Sequence, residues 1–303
     1  MPTRDKPLAN QSRTGPMITT GSIEELRAIL HDIRRQNSTI GLVPTMGNLH
    51  HGHLSLLETA RRESHFVVTS IFVNPLQFGP KEDLQAYPRT PQEDRETLAR
   101  AGCDLLFAPD TEEMYPNGLY SHCSVSVPGI SESLCGESRP RHFEGVATVI
   151  SKLFNIVQPN IAVFGQKDYQ QLAVIRTLAR GLNFPVRVLG APTVRAPDGL
   201  ALSSRNGYLS PAERNIAPLL YTNLKRMVET IEQGEQDFSA LIQSTGTALE
   251  QAGFNLDYLD IRSARTLQAA TATDQELVIM VAAFLGKTRL IDNLECRRPV
   301  PSE

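Results

Sequence analysis

The sequence predicts an α/β fold, a doubly wound parallel sheet followed by a smaller α+β domain, and three observations point to it. Through about residue 191, short apolar runs alternate with longer stretches of helical periodicity. That is the pattern of successive β-α-β crossovers, and hence of parallel strands. The apolar runs contain little internal polar alternation, as expected of strands covered on both faces. Beyond residue 191 helices come first and strands after, which suits a separate α+β unit.

The elements follow in order. Residues 1–16 are polar and rich in Pro, Asn, Ser and Thr, and are expected to be a disordered extension. A helix over 23–35 begins with Ser22 as its cap and Glu25 at the third helical position. Residues 39–43 form the first strand, which is expected to break at Pro44. The next helix opens around Gly52 and places Leu54, Leu57 and Ala60 on one face. The run 66–73 is a buried strand, 91–101 a helix and 104–108 a short strand. Helix 143–157 carries Val146, Val149, Ile150, Leu153, Phe154 and Val157 on one face. Strand 161–164, helix 169–180 and strand 186–189 complete this half. Residues 191–205 form a connection containing Pro, Gly and Ser. Helices over 211–233 and 238–252 and strands over 256–261, 277–284 and 288–294 follow. The expected domains are therefore 17–191 and 192–303.

A chain of 303 residues has room for two such domains. A hydrophobic share of 41% with 21% charged residues is ordinary for a globular protein. A net charge of −3 with no basic run argues against a nucleic-acid surface. No apolar run approaches the roughly 20 residues of a membrane span, and no apolar h-region opens the chain, so neither a membrane partner nor a signal peptide is expected. Cys103, Cys123, Cys135 and Cys296 form no C-x-x-C pair and read as reduced thiols of a cytoplasmic protein.

Ligands on parallel sheets sit beyond the carboxyl ends of the strands. Three chemically loaded segments fall there: residues 44–53, 74–78 and 165–168. The first, Pro44-Thr-Met-Gly-Asn-Leu-His-His-Gly-His53, is the most informative. A strand-to-helix turn aims backbone N–H groups and a positive helix dipole at whatever lies above it, and so suits phosphate. His50 and His53 flank that turn and can donate hydrogen bonds to a phosphorus centre as charge builds on it. Two other readings exist. Imidazoles bind zinc, but no Cys or His pair stands at ligand spacing elsewhere. Histidines can also simply cap or line a turn. Phosphate chemistry is favoured because the Pro-Thr-Met-Gly lead-in accounts for the turn.

His50-His-Gly-His53 is similar to the "HIGH" motif of enzymes that transfer adenylate. Three more segments stand in order with it: Phe72-Val-Asn-Pro-Leu-Gln-Phe78 with Tyr87-Pro-Arg-Thr90; Arg139-Pro-Arg-His-Phe-Glu-Gly-Val146 with Phe164-Gly-Gln-Lys-Asp-Tyr-Gln-Gln171; and Asp198-Gly-Leu-Ala-Leu-Ser-Ser-Arg-Asn206. Together they resemble the pantothenate synthetase (pantoate–β-alanine ligase) family over nearly the whole chain from about residue 18. The resemblance implies a Rossmann-like sheet of the nucleotidyltransferase type and a C-terminal lid domain. It implies a two-step ligation, in which pantoate attacks the α-phosphorus of ATP and β-alanine then attacks pantoyl adenylate.

Site residues carried over from the family are likewise implications of the resemblance. His53 is the proton donor, acting with His50 and Lys167. ATP is held by Met46, Gly47, His50, His53, Gly165, Lys167, Asp168, Val194, Leu202, Ser203, Ser204 and Arg205. Within this set Gly165 and Asp168 face the ribose, Val194 the adenine, and Ser203, Ser204 and Arg205 the leaving pyrophosphate. Pantoate is bound by Gln77, Gln171 and Asn74, and β-alanine by Gln77. Glu93 and Asp94 align with acids associated with magnesium, which accompanies ATP. The roles of Arg139 and His142 stay open between substrate binding and support. The family is commonly homodimeric. Gln166 stands where many members carry Glu, and His51 occupies the variable motif position.

Two alternatives compete. A phosphopantetheine or nicotinamide-mononucleotide adenylyltransferase would share the histidine turn but retain adenylate in its product. A non-enzymatic ATP- or tRNA-binding module would need none of the downstream motifs, and the acidic balance disfavours tRNA.

Overall fold

The computed structural model describes residues 15–299 except Lys81 and Ala272. Of the expected N-terminal extension, all but residues 15 and 16 lies outside the described residues. The chain divides into two units, the first built from residues up to 131, 139–166 and 171–192, the second from 132–138, 167–170 and 193 onward. The second unit thus draws in two short pieces of the first half that no shift in composition marks.

The first unit holds six strands: β1 (Ile18–Thr20), β2 (Ile40–Thr45), β3 (Phe66–Ile71), β4 (Leu105–Phe107), β5 (Ile161–Gly165) and β6 (Arg187–Ala191). They form one sheet in the order β1-β4-β3-β2-β5-β6, and every pair is parallel. The strand order reverses between β2 and β5, where ligands collect in such sheets. The crossovers are α1 (Ile23–Arg35), α2 (His51–Glu63), α3 (Pro91–Arg100), the single turn α4 (Thr111–Met114), α6 (His142–Val157) and α7 (Tyr169–Gly181), whose first two residues, like the single turn α5 (Cys135–Ser138) before α6, count with the second unit. Ser22 caps α1 by accepting the Glu25 N–H at 3.3 Å. Acids in the first turn of α1 and arginines in its last turn complement the helix dipole.

Leu57 and Ala60 of α2 and Leu98 of α3 pack on Val43, Val67, Leu106 and Val163 of the sheet, all almost fully buried. Burying a side chain of the Val or Leu kind contributes about 1.5–3 kcal/mol, so the apolar strand runs specify the sheet interior.

In the second unit, α8 (Pro211–Ile216), α9 (Leu219–Glu232) and α10 (Phe238–Gln251) precede an antiparallel meander, β7 (Phe254–Ser263), β8 (Glu276–Leu285) and β9 (Thr288–Arg297). Leu220, Leu224, Met227 and Ile231 line one face of α9 and share a core with Leu277, Ile279, Val281 and Ala283 of β8.

Three local expectations are corrected. Strand β1 was not foreseen, because three residues pairing only with β4 at the sheet edge carry no readable period. Strand β2 does not break at Pro44 but runs to Thr45. Its pairing with β5 covers only Gly41 and Leu42, so Pro44 has a ladder partner, Ser70 of β3, on one side only, an edge-like place that tolerates a missing N–H. The helix expected over 211–233 is two helices, because Pro218 lacks an N–H and its ring obstructs the preceding turn.

Helix α6 meets the segment after β3 at its closest point through Gly145. A Cβ there would lie 2.4 Å from the Leu76 carbonyl oxygen and 2.7 Å from the Gln77 nitrogen. Both obstacles are backbone and cannot swing away. Gly145→Ala is expected to lower unfolding stability by about 1–3 kcal/mol, measured by urea denaturation; wild-type stability would show that the two segments can separate freely.

Candidate active site

The first unit presents its chemistry where β2, β3 and β5 end. After Thr45 the chain turns through Gly47, whose φ of +83° belongs to the left-handed region. Asn48 follows with φ of +50°. Such a turn exposes successive backbone N–H groups, and side chains of this unit take them up. The buried Asp94 carboxylate accepts the Asn48 N–H at 2.9 Å and the Leu49 N–H at 2.7 Å. His50 is the N-cap of α2, and its Nδ1 accepts the Gly52 N–H at 3.1 Å. His53 Nδ1 in turn accepts the His50 N–H at 3.3 Å.

The two imidazoles therefore form a reciprocal cap, with ring centroids 4.2 Å apart. An Nδ1 that accepts a hydrogen bond carries no proton, so the proton of each neutral ring sits on Nε2. Capping and phosphate contact are consequently not rival uses of these histidines: the cap occupies one nitrogen and sets the other as a donor.

After β3, Asn74 caps the 3-10 turn Pro75–Gln77. The Gln77 amide Nε2 lies 2.9 Å from Met46 Sδ, which brings the second segment against the first. Two residues whose roles the sequence left open hold Gln77 from behind. Arginine can only donate, so Arg139 Nη1 donates to His142 Nε2 at 3.0 Å. The proton of His142 is then on Nδ1, which donates to the Gln77 carbonyl at 2.7 Å. Arg139 Nε also donates to Glu82 at 2.9 Å. Burial pushes the Glu82 carboxyl up, but the hydrogen bond and charge of Arg139 outweigh it and hold the group below its ordinary range.

Two assignments from the sequence change here. Asn74 is 1% exposed and spends its amide on protein groups: Oδ1 accepts from Tyr115 Oη at 2.9 Å, and Nδ2 donates to Gly145 O at 3.1 Å and Gln77 Oε1 at 3.3 Å. It supports Gln77 rather than offering itself to a ligand. Glu93 and Asp94 do not fit a shared magnesium site. Adjacent helical residues point about 100° apart, Glu93 is exposed while Asp94 is buried, and both Asp94 oxygens are engaged by the loop. Among the described residues no cluster of three metal-ligating side chains occurs. A cavity of about 580 Å³ opens against Met46 and Gly47, with Phe72, Pro75, Arg89 and Asp94 in its walls, within the range of small-molecule sites. Gln171, in the first turn of α7, is half-buried.

The chain leaves β5 at Gly165 and enters the 3-10 turn Gln166–Asp168. In the second unit, Lys167 Nζ stands 3.9 Å from Asp168 Oδ2. Val194 and Leu202 face each other across a hairpin, the Leu202 N–H donating to Val194 O at 2.9 Å. Ser203 then caps the turn Ser204–Tyr208 by accepting the Arg205 N–H at 3.2 Å.

Strand β9 ties these pieces together through residues the sequence reading did not single out. Asp292 takes a two-pronged ion pair from Arg195 at 2.6 and 2.8 Å, Arg195 lies 4.0 Å over the Tyr221 ring, and Asn293 Nδ2 donates to Lys167 O at 2.8 Å. The forked geometry suits guanidinium and not ammonium. An Asp-Asn pair inside an apolar strand was the only signal that could have revealed them.

The profile of the pantoate-beta-alanine ligase family matches residues 18–295. Pantothenate synthetase of Pseudomonas fluorescens (strain Pf0-1) is 60% identical over 286 residues, covering 94% of this chain and all of that protein. That of Azotobacter vinelandii is 60% identical over 92% of this chain and 98% of its own length. The crystal structure of pantothenate synthetase from Thermus thermophilus superposes with a TM-score of 0.86 at 50% identity, over 92% of this chain and 99% of that one. A Francisella tularensis pantoate-beta-alanine ligase complexed with beta-gamma ATP and beta-alanine gives a TM-score of 0.78 at 35% identity, over 92% of this chain and 97% of that one. With the profile spanning the described fold and relatives matching almost end to end, the chain belongs to the pantoate-beta-alanine ligase family.

Proposed function

We infer the course of the reaction from family and geometry together: ATP-dependent condensation of (R)-pantoate with β-alanine proceeds through pantoyl adenylate and yields pantothenate, AMP and diphosphate. A carboxylate is a poor acyl donor because oxide would have to leave. Transfer of adenylate to it supplies a good leaving group, and the protein's work is then positioning and stabilisation of charge. Held geometry can contribute roughly 7–11 kcal/mol to such a step.

The observation that carries this reading is the 2.9 Å approach of Gln77 Nε2 to Met46 Sδ. An amide suited to a hydroxy acid thereby adjoins the strand-to-helix turn suited to a triphosphate. The nucleotide lies along Met46, Gly47, Gly165 and Val194, with Asp168 at the ribose. His50 and His53 donate from Nε2 to the α-phosphate as the carboxylate attacks, His53 as the proton donor. Lys167, Ser203, Ser204 and Arg205, with Leu202, hold the departing diphosphate; compact and forked cations both suit phosphate oxygens. Gln77 and Gln171 bind pantoate with neutral amides that add no charge to compete with ATP. Gln77 also receives β-alanine. The ligands of the Francisella tularensis structure support ATP and β-alanine as substrates here. Magnesium enters with ATP as its counter-ion. A homodimer in the cytoplasm is the assembly that the family resemblance implies. No helix among the described residues is long and apolar enough to cross a membrane.

A drop-out assay tests the whole reading. With ATP, magnesium, pantoate and β-alanine, AMP formation requires both organic substrates, whereas pyrophosphate exchange requires pantoate alone. An adenylylated product in place of AMP would move the chain to the adenylyltransferases. Lys167→Ala is expected to lower pyrophosphate exchange by about 10²–10³-fold, the scale of losing one charge-stabilising donor; exchange near the wild-type rate would remove that residue from the reaction. Gln77→Ala is expected to raise KM for pantoate about 5- to 30-fold, the value of one or two hydrogen bonds, with KM for ATP little changed. An unaltered pantoate KM would refute the assignment.

A further inference from the structure

The hydrogen bonds around Asn74 determine more than its own position. Each amide orientation in this network follows from a group that has no choice. Gly145 offers a carbonyl, which only accepts, so the Asn74 atom 3.1 Å from it is Nδ2. The Leu76 N–H only donates, so the Asn74 atom facing it is Oδ1. Since Oδ1 cannot donate, the Tyr115 hydroxyl 2.9 Å away is the donor. Since Nδ2 cannot accept, the Gln77 atom 3.3 Å from it is Oε1. The opposite end of the Gln77 amide, toward Met46, is therefore NH2. Tyr115 is 3% exposed, and burial pushes its phenol up, so the hydroxyl keeps the proton it donates.

We propose that Tyr115 is a positioning residue for the ligation: with the Gly145 carbonyl and the Leu76 N–H it fixes Asn74, and Asn74 in turn holds the Gln77 carboxamide with its NH2 end toward Met46 and its oxygen turned away. A bare Gln amide can flip and offer either end at little cost. Held this way it offers only donors. It donates to a hydroxyl oxygen or a carboxylate of the substrate, and it gives nothing to an ammonium group. The same lock explains how Gln77 can serve both pantoate and the carboxylate end of β-alanine while rejecting the β-alanine amine. It also keeps that nucleophile from being captured where the acid must sit.

The proposal rests on the assignment of Gln77 to pantoate made above, and a coupled set of variants separates the two. Tyr115→Phe removes one hydroxyl and is expected to raise KM for pantoate about 3- to 10-fold, the size of one lost buried hydrogen bond, with KM for ATP retained. In a Gln77→Ala background the same substitution is expected to add nothing, because no amide remains to orient. An equal rise in both backgrounds would mean that Tyr115 acts through general packing and would overturn the proposal, as would no rise in the wild-type background. If Gln77→Ala alone leaves pantoate binding intact, the assignment of Gln77 fails and the lock has no purpose. Gln77→Glu, which keeps the shape but presents an acceptor, gives a second measure that does not depend on Tyr115. Pantoate KM is expected to rise at least as far as in Gln77→Ala at pH 8 and to recover partly toward pH 5, where the acid form can donate. Wild-type pantoate binding by Gln77→Glu at pH 8 would show that the orientation of the amide is irrelevant.

Discussion

Backbone N–H groups at the end of β2 are the constraint around which the first unit is arranged. A chain leaving a buried parallel strand and entering a helix within six residues has a cluster of donors and no strand partner for them. Water cannot serve them cheaply in a half-buried turn. Here the Asp94 carboxylate takes two, His50 takes one and His53 another. Asp94 belongs to α3, so the helix that crosses from β3 to β4 also braces the turn after β2. Gly47 is required on two counts, since its φ is positive and a Cβ would lie 2.9 Å from Asp94 Oδ2. Turn, clamp and cap thus depend on one another, and the histidines are presented by that arrangement.

A second layer of support stands behind Gln77. Its side chain is held through Asn74, and its carbonyl is held by His142, itself backed by Arg139 and Glu82. Gly145 lets α6 come close enough for its own carbonyl to anchor Asn74. The segment Arg139 to Val146 is therefore a bracket for the residues after β3. In the second unit, Asp292 and Asn293 play the comparable part for the hairpin of Val194 and the carbonyl of Lys167.

Much of this was legible in the sequence, for identifiable reasons. The buried strands announced themselves as unbroken apolar runs, and helices such as α1 and α6 by their caps and apolar stripes. The turn from Pro44 to His53 was readable because glycine and histidine at that spacing have few other uses. What stayed hidden depends on contacts between residues far apart in the chain. Nothing local distinguishes a helical Asp94 that binds a loop 45 residues away from one that binds a metal. Nothing marks Tyr115 as the partner of Asn74, or Asp292 as the partner of Arg195. The extent of β2 past Pro44 could not be read either, since it depends on where β5 stops pairing.

The reciprocal histidine cap divides the handling of phosphate between two kinds of group. With Nδ1 committed to backbone N–H groups, each ring meets a ligand as a neutral dipole. On the proposed assignment, the formal positive charge that meets ATP comes instead from its magnesium and from Lys167 and Arg205, in a different part of the sequence. These contributions respond differently to the medium. Added salt screens charges near the surface over roughly 10 Å at 0.1 M and half-buried ones such as Lys167 and Arg205 less strongly, whereas short hydrogen bonds from imidazole and turn amides are affected least. If the proposed assignments hold, ionic strength loosens the cationic contacts more than the imidazole ones, so that capture of the nucleotide and its activation become separately adjustable.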